Sequence, residues 1–180
     1  MPAPGYHTHD GFYGRFLFGG GWAATSGRGT GNRYSGGSMD FGVAFGGAIT
    51  QSLILYGEFL ECFVFNPSYV RDGVSQTWDK KDLNIYGFGP GAAYYFVPLN
   101  LYLSGTLLFP KVLLNTNASP ELTDRGIGAS LMLGKEWWNP TDDWGFGVAA
   151  QFFLGSARGH ADNARWTSLA LAIVLSATYN

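Results

Sequence analysis

The sequence predicts an all-β fold: a single eight-stranded antiparallel up-and-down transmembrane β-barrel. Bulky apolar residues alternate with small or polar ones along several segments, as in strands whose two faces meet different surroundings. Only 13% of the 180 residues are charged, against about 25% in soluble domains. The predicted connections alternate between short and long, which is typical of membrane barrels. We expect residues 1–10 to form a mobile N-terminal segment and residues 11–180 to form the barrel.

Eight segments carry the signal of a strand. The last one shows it best, because its odd positions are bulky and apolar whereas its even positions are mostly small or polar. Each segment is long enough for a tilted strand to cross a bilayer, which takes roughly 9 to 11 residues. The predicted strands are, in chain order, 11–25, 39–49, 52–65, 83–96, 99–114, 126–137, 144–154 and 169–179. In the fourth, Gly87, Gly89 and Gly91 surround Pro90, which predicts a bend or bulge.

The connections differ in length from one end of the predicted barrel to the other. Short connections lie at 50–51, 97–98 and 139–142, and longer polar ones at 26–36, 66–81, 115–123 and 156–163. Outer-membrane barrels have short periplasmic turns and longer external loops. With eight strands, both chain ends fall on the side of the short turns.

The alternation alone does not show whether the bulky residues point outward or into the lumen. A soluble barrel of the lipocalin type also alternates, but its apolar side chains point inward. Here the smaller parity consists mainly of Gly, Ala and Ser, so that in water it would form an almost uncharged surface, unlike the surfaces of soluble proteins. We therefore expect the bulky parity to face lipid and the smaller parity to line the lumen.

Three charged residues on the inward parity form a predicted structural network: Arg15, Glu58 and Glu136. An unpaired buried charge is strongly unfavourable, so we expect Arg15 to pair with Glu58 or with Glu136. Glu61 falls on the lipid-facing parity, a misfit that a bulge after Gly57 or a place near a loop would explain.

Aromatic residues gather at the predicted strand ends, where amphipathic rings favour a membrane interface. The expected aromatic girdle comprises Tyr94, Phe96, Trp137, Trp144 and Tyr179 near the short turns, and Trp22, Phe109 and Trp166 toward the loops.

The chain resembles the small outer-membrane β-barrel proteins of the OmpA transmembrane-domain and OmpX type. The matching features are the eight strands, the alternation of short turns and long loops, and the stretches LILYGEF (53–59), GKEWW (134–138) and LALAIVLSATYN (169–180). The resemblance implies an integral protein of the bacterial outer membrane, in contact with lipid and lipopolysaccharide and recognised by the outer-membrane insertion machinery. It departs at the C-terminus, where the family usually ends in an aromatic residue and Asn180 follows Tyr179 here.

The function that we expect is a scaffold that displays four external loops, with a structural, adhesion or envelope-integrity role. A narrow pore for small solutes or ions is one alternative. An outer-leaflet lipid-modifying enzyme is another, because Ser156, His160 and Asp162 near the last loop supply the residue types of a nucleophilic triad. Loops often contain these residues for their turn preferences, so we expect no catalytic site.

Other classes of function find little support in the sequence. A net charge of −2 gives no basic face for nucleic acid. Cys62 is the only cysteine, so it cannot form an internal disulfide. Without a cysteine partner, His7 and His9 do not predict a structural zinc site, and we expect no cofactor. The sequence names no partner for the loops.

Overall fold

The computed structural model describes residues 7–76, 82–114, 121–139 and 143–180. These residues form ten strands, and a single 3-10 turn, Val97–Leu99, joins the sixth strand to the seventh. No helix in this part of the chain is long and apolar enough to cross a membrane. The strands are β1 (Phe12–Gly27), β2 (Asn32–Thr50), β3 (Leu53–Val64), β4 (Ser68–Arg71), β5 (Val74–Gln76), β6 (Leu83–Phe96), β7 (Leu101–Leu114), β8 (Ile127–Trp138), β9 (Trp144–Arg158) and β10 (Arg165–Tyr179).

Eight of these strands form a closed antiparallel barrel. Their order around the wall is β1, β10, β9, β8, β7, β6, β3 and β2, and β2 pairs with β1 to close the ring. Strand β1 pairs along most of its length with both neighbours, from Gly14 opposite Tyr179 to Gly27 opposite Trp166 on the β10 side. The predicted all-β fold, an eight-stranded antiparallel barrel, is confirmed.

The strands β4 and β5 form a hairpin outside the ring, where the sequence predicts only a loop. Strand β4 pairs with the first residues of β2, Asn32 to Ser35, and thereby extends the wall beyond the barrel. The turn of the hairpin is Asp72-Gly73, and both residues have positive φ, at 50° and 81°. This dipeptide favours the type I′ turn of a two-residue hairpin, and it is the sequence signal that could have revealed β4 and β5.

The two ends of the barrel differ, and we call them the turn end and the loop end. The turn end contains residues 51–52 and 97–100 together with both ends of the described chain, because Asn180 Nδ2 donates to the carbonyl of Phe12 at 2.8 Å. At the loop end the predicted loops 26–36 and 156–163 are too long. The strands continue past the predicted boundaries, since glycine-rich and polar residues outside the apolar belt still pair, and only residues 28–31 and 159–164 remain as turns.

The structure contains no bulge at Pro90. Strand β6 keeps its register with β3 through Gly89 and Pro90, while the ladder to β7 skips these two residues because proline has no N–H to donate. Nor does a bulge follow Gly57; the register shift of this region lies between Ala48 and Thr50. Glu61 therefore faces outward, where its Oε1 accepts a hydrogen bond from Asn84 Nδ2 at 2.7 Å.

Inward glycines leave the space that the large lumen side chains fill. A Cβ atom at Gly46 would lie 2.7 Å from Tyr56 Cβ, and one at Gly134 would lie 2.6 Å from the Tyr102 hydroxyl. On the outer face, a Cβ at Gly57 would meet no atom within 4 Å. The small residues on the inward face of the strands therefore make room for the large side chains that fill the lumen.

Candidate functional site

The half of the lumen nearer the turn end is built around Arg15. Its side chain is fully buried, and Nη2 lies 3.4 Å from Glu58 Oε1. The barrel register explains the pairing: Ala44 of β2 stands opposite both Arg15 of β1 and Glu58 of β3, so the two charged residues lie at one level with a small residue between them. The structure therefore selects Glu58 from the two partners that the sequence allows.

Three tyrosine rings and a threonine hydroxyl contact this ion pair. The guanidinium carbon of Arg15 lies 5.2 to 5.8 Å from the ring centres of three tyrosines, a distance that permits cation–π attraction. The second carboxylate oxygen of Glu58 accepts a hydrogen bond from Thr106, whose hydroxyl is 3.1 Å from that of Tyr56. The three tyrosines are Tyr13, Tyr56 and Tyr102.

Glu136 occupies the same half but has a different partner. It is fully buried, and its Oε1 accepts a hydrogen bond from Thr178 Oγ1 at 2.6 Å. Thr178 stands directly opposite Arg15 in the β1–β10 pair. The three predicted residues therefore lie in one polar layer, in which Thr178 rather than Arg15 is the hydrogen-bond partner of Glu136.

The N-terminal segment packs against this layer at the turn end. Residues 1–6 lie outside the described part of the chain, whereas His9 is only 2% exposed. Its Nδ1 is 2.9 Å from Asn180 Oδ1, its ring lies 3.9 Å from that of Tyr95, and the ring of His7 stacks on Trp138 at 3.7 Å. Burial lowers the pKa of His9 to about 4, so the imidazole is neutral at pH 7. The segment therefore covers the turn end of the lumen.

The half of the lumen nearer the loop end is mostly apolar. It encloses a cavity of about 20 Å³, room for about one water molecule. Asp40 is the one carboxylate on the inward face here among the described residues, and Ser38 Oγ donates to its Oδ2 at 2.8 Å. The inward lining comprises Leu60, Cys62, Ile85, Leu108, Phe153, Ala170 and Ala172, together with Asp40 and Gln151.

Most of the predicted girdle residues lie on the outer face. At the turn end all five are exposed, and the rings of Trp144 and Tyr179 lie 5.3 Å apart. Trp22 and Phe109 also face outward, each 38% exposed. The five at the turn end are Tyr94, Phe96, Trp137, Trp144 and Tyr179.

The prediction that Trp166 belongs to the girdle is wrong. Strand β10 begins at Arg165, which places Trp166 on the inward parity, and the residue is 2% exposed. Its ring stacks on Tyr34 with centres 6.1 Å apart, and its Nε1 donates to Asp162 Oδ1 at 3.4 Å. Trp166 thus helps to close the loop end from within.

The three residues of the hypothetical triad have other partners. His160 Nδ1 is 2.7 Å from Asp124 Oδ1, and this contact raises the pKa of His160. Asp162 accepts hydrogen bonds from the backbone of Ala164 and from Trp166. Among the described residues, no hydrogen bond joins Ser156 to His160 or His160 to Asp162. This arrangement does not assemble a nucleophile, a base and an acid.

Some residues of the lumen escape prediction from the sequence. Tyr13, Thr106 and Thr178 lie on inward parities, but their contacts depend on the relative register of strands far apart in the chain. The packing of His9 against Asn180 joins residues 171 positions apart. No local pattern carries such information.

Among the solved structures, several are similar to this chain. AlkL, studied in DMPC lipid bilayers, matches with a TM-score of 0.55 and 11% identity over 99% of this chain and 94% of that one. Neisserial surface protein A matches with 0.53 and 15% over 91% and 95%, and the outer membrane protein OprG from Pseudomonas aeruginosa with 0.51 and 11% over 99% and 100%. No protein-family model and no curated protein sequence match the chain. At these identities the likeness concerns the fold: the chain has the closed eight-stranded architecture of the small outer-membrane β-barrels.

Proposed function

We propose that the protein is an integral outer-membrane scaffold: a closed barrel in lipid, with its loop end outside the cell and a structural, adhesion or envelope-integrity role. The observation that carries this proposal is the composition of the outer face. The most exposed apolar side chains include Phe146 and Leu175 at 63% and Ile173 at 60%. Such a continuous apolar surface is unfavourable in water and favourable in hydrocarbon.

The packing of the lumen supports a scaffold rather than a pore. Side chains from β1, β3 and β7 meet around Arg15, and Tyr13, Tyr102 and Arg15 each expose 0% of their surface. Between these side chains and the solvent, His9 and Trp138 cover the turn end. An eight-stranded barrel has an interior just wide enough for such side chains to fill.

The loop end supports a role in display. The β4–β5 hairpin extends β2 beyond the barrel, and Tyr69 anchors it through a hydrogen bond from its hydroxyl to Asn32 Oδ1 at 2.8 Å. The ring of Tyr69 stacks on that of Tyr34 with centres 4.8 Å apart. An ordered projection of this kind offers a defined surface to a partner outside the membrane.

Folding into vesicles tests membrane embedding. The urea-denatured chain should insert into phosphatidylcholine vesicles and then migrate faster on an unheated SDS gel than after boiling. Folding into a monodisperse species in buffer without any amphiphile would contradict the proposal.

Two further measurements separate the alternatives. Single-channel recording in planar bilayers should show no steady conductance, and a steady current would favour the pore. Mass spectrometry of lipid A from cells that express the protein should show unchanged species, and a deacylated or newly acylated product would favour the enzyme.

A further inference from the structure

Five of the seven arginines lie at the loop end on neighbouring strands. They lie on or directly beside β8, β9, β10, β1 and β2, which are consecutive around the wall, and all five are exposed. We call this set the arginine arc. Its members, in the order of the wall, are Arg125, Arg158, Arg165, Arg28 and Arg33.

Three members of the arc line one surface cleft of about 850 Å³. Arg158 and Arg165 stand directly opposite each other across the β9–β10 pair, and Arg125 lines the same cleft from the segment that enters β8. Arg28 lies beside them, because its backbone N–H donates to the carbonyl of Arg165 at 2.8 Å. Positive side chains are thus concentrated on one sector of the rim.

The carboxylates that the structure describes form no ion pair with the arc. Among the described residues, no carboxylate oxygen comes within 4.0 Å of a guanidinium nitrogen of its five members, although Arg71 of the neighbouring hairpin has such a contact with Asp72. Asp124 lines the cleft, but His160 lies against its Oδ1 at 2.7 Å. Like charges directly opposite each other in a sheet are destabilising, so the pair Arg158 and Arg165 favours an anion from outside.

The height of the arc relative to the apolar belt indicates where that anion lies. On β9 and β10 the last bulky outward residues are Leu154 and Leu169, and a single outward polar residue separates each from its arginine. Arg125 reaches down to the belt: its guanidinium carbon lies 4.8 Å from the ring centre of Phe88. In a membrane, groups just above the apolar belt meet lipid headgroups.

The described residues of the opposite sector of the rim differ in charge. On β3, β6 and β7 the outward residues at this end include Glu61, which is bound by Asn84, and Lys111, whose Nζ lies 2.5 Å from Glu121 Oε1. Within the described residues, the outward face of these three strands carries no arginine. This asymmetry among the described arginines favours a localised site, because a general attraction to a membrane surface would act on every sector alike.

We propose that the arginine arc binds the phosphate groups of lipid headgroups in the leaflet around the loop end. Guanidinium groups bind phosphate oxygens with two parallel hydrogen bonds, and facing arginines can share one phosphate. The cleft holds the headgroup while the outward leucines below it contact the acyl chains. This inference rests on the proposed membrane location, and it adds a partner and a position on the wall.

The test uses the full chain refolded in phosphatidylcholine nanodiscs that contain 5 mol% of either diphosphoryl lipid A or the same lipid without its phosphates. After extraction in mild detergent, native mass spectrometry counts the lipid A that remains bound. The wild-type chain should retain the diphosphoryl form at least tenfold better than the dephosphorylated form. The triple variant Arg125→Gln/Arg158→Gln/Arg165→Gln should lose that preference, and Arg71→Gln, an exposed arginine outside the arc, should keep it.

Several results would overturn the proposal. Equal retention of the two lipids would mean that only acyl chains are bound, and an unchanged preference in the triple variant would place the site elsewhere. Soluble heparin that binds through the arc and displaces lipid A would favour a polysaccharide partner. Failure to insert into any nanodisc would instead contradict the proposed function.

A second readout guards against misfolding of the triple variant. The single variant Arg165→Gln removes one of two facing charges, so in zwitterionic micelles its thermal midpoint should equal or exceed that of the wild type. Addition of diphosphoryl lipid A should raise the midpoint of the wild type more than that of the variant. An equal rise in both proteins would contradict binding at the arc.

Discussion

The two halves of the lumen are closed by different forces. In the half nearer the turn end, Arg15 and Glu58 form a buried ion pair among tyrosines and threonines. In the half nearer the loop end, side chains such as Leu60, Leu108 and Phe153 pack as in the core of a soluble protein. The same inward parity therefore has two compositions, and "polar inside" describes only one half of this barrel.

This difference predicts opposite responses to mutation. A buried ion pair contributes little net stability, but loss of one partner leaves an uncompensated charge. An apolar layer responds in proportion to the volume removed. Mutations can therefore distinguish the halves: in the half with the ion pair, a second substitution that removes the unpaired charge should restore the stability that the first one lost.

The largest effect is expected for Glu58→Gln. The variant leaves the Arg15 guanidinium buried without a carboxylate, which should lower the free energy of unfolding by about 3–5 kcal/mol. The measurement is urea unfolding from vesicles. Glu61→Gln on the outer face of the same strand is the control and should cost less than about 1 kcal/mol.

A double variant tests whether the charge itself causes that loss. Arg15→Met combined with Glu58→Gln removes the unpaired cation and should recover most of the stability. A double variant less stable than Glu58→Gln alone would contradict the account of this half.

A cavity variant probes the apolar half. Leu108→Ala, at a residue that is 1% exposed, should cost about 3–4 kcal/mol in the same assay because the rigid wall cannot collapse onto the void. The neighbouring Leu107 faces outward at 47% exposure, so lipid can fill the space in Leu107→Ala and the cost should be clearly smaller. An equal loss of unfolding free energy in both variants would show that the half of the lumen nearer the loop end is not a packed core.

Gly46→Ala tests the close packing of the wall against the lumen tyrosines. A Cβ there would lie 2.6 Å from Tyr56 Cα, so the variant should lose about 2–3 kcal/mol. Gly57→Ala on the open outer face is the matched control, with an expected change near zero in urea unfolding. Similar values for both would indicate that inward glycines have no packing role.

The smallest effect concerns pH at the turn end. The pKa of His9 is about 4 in the folded chain, against about 6.5 for a released histidine. The released form binds the proton more readily, so the stability that burial of neutral His9 provides is complete above about pH 6.5 and falls by about 2 kcal/mol as the pH is lowered to about 5. Imidazole NMR in micelles should show His9 titrating near 4 and His160 above its ordinary pKa because of Asp124; a His9 midpoint near 6.5 would contradict its burial.

The sequence predicts the barrel itself because alternation is a local property. Most barrel strands show a period-two pattern within their own residues, and the predicted segment 83–96, where that pattern is weaker, still has the bounds of β6. The β4–β5 hairpin is too short for such a pattern, and only the Asp72-Gly73 turn indicates it. Trp166 was misplaced because β10 starts four residues earlier than its apolar run.

The site is less predictable because its contacts depend on register. Parity places Arg15, Glu58 and Glu136 in the lumen, but only the shared neighbour Ala44 shows that Glu58 lies level with Arg15. The arginine arc is harder still, since its members span positions 28 to 165 and become neighbours only when β1 closes on β10. No single segment of the sequence shows that β1 pairs with β10 to close the ring.

Site-directed spin labelling of β10 tests the central claim, that the bulky face of the wall lies in hydrocarbon. Single cysteines would replace Leu171, Ala172, Ile173 and Val174 in a Cys62→Ser background, in vesicles. Collision with oxygen, which dissolves in lipid, should be high at 171 and 173 and low at 172 and 174, and collision with a water-soluble nickel chelate should be low at all four. Strong nickel collision at 171 and 173, with oxygen excluded, would contradict the account.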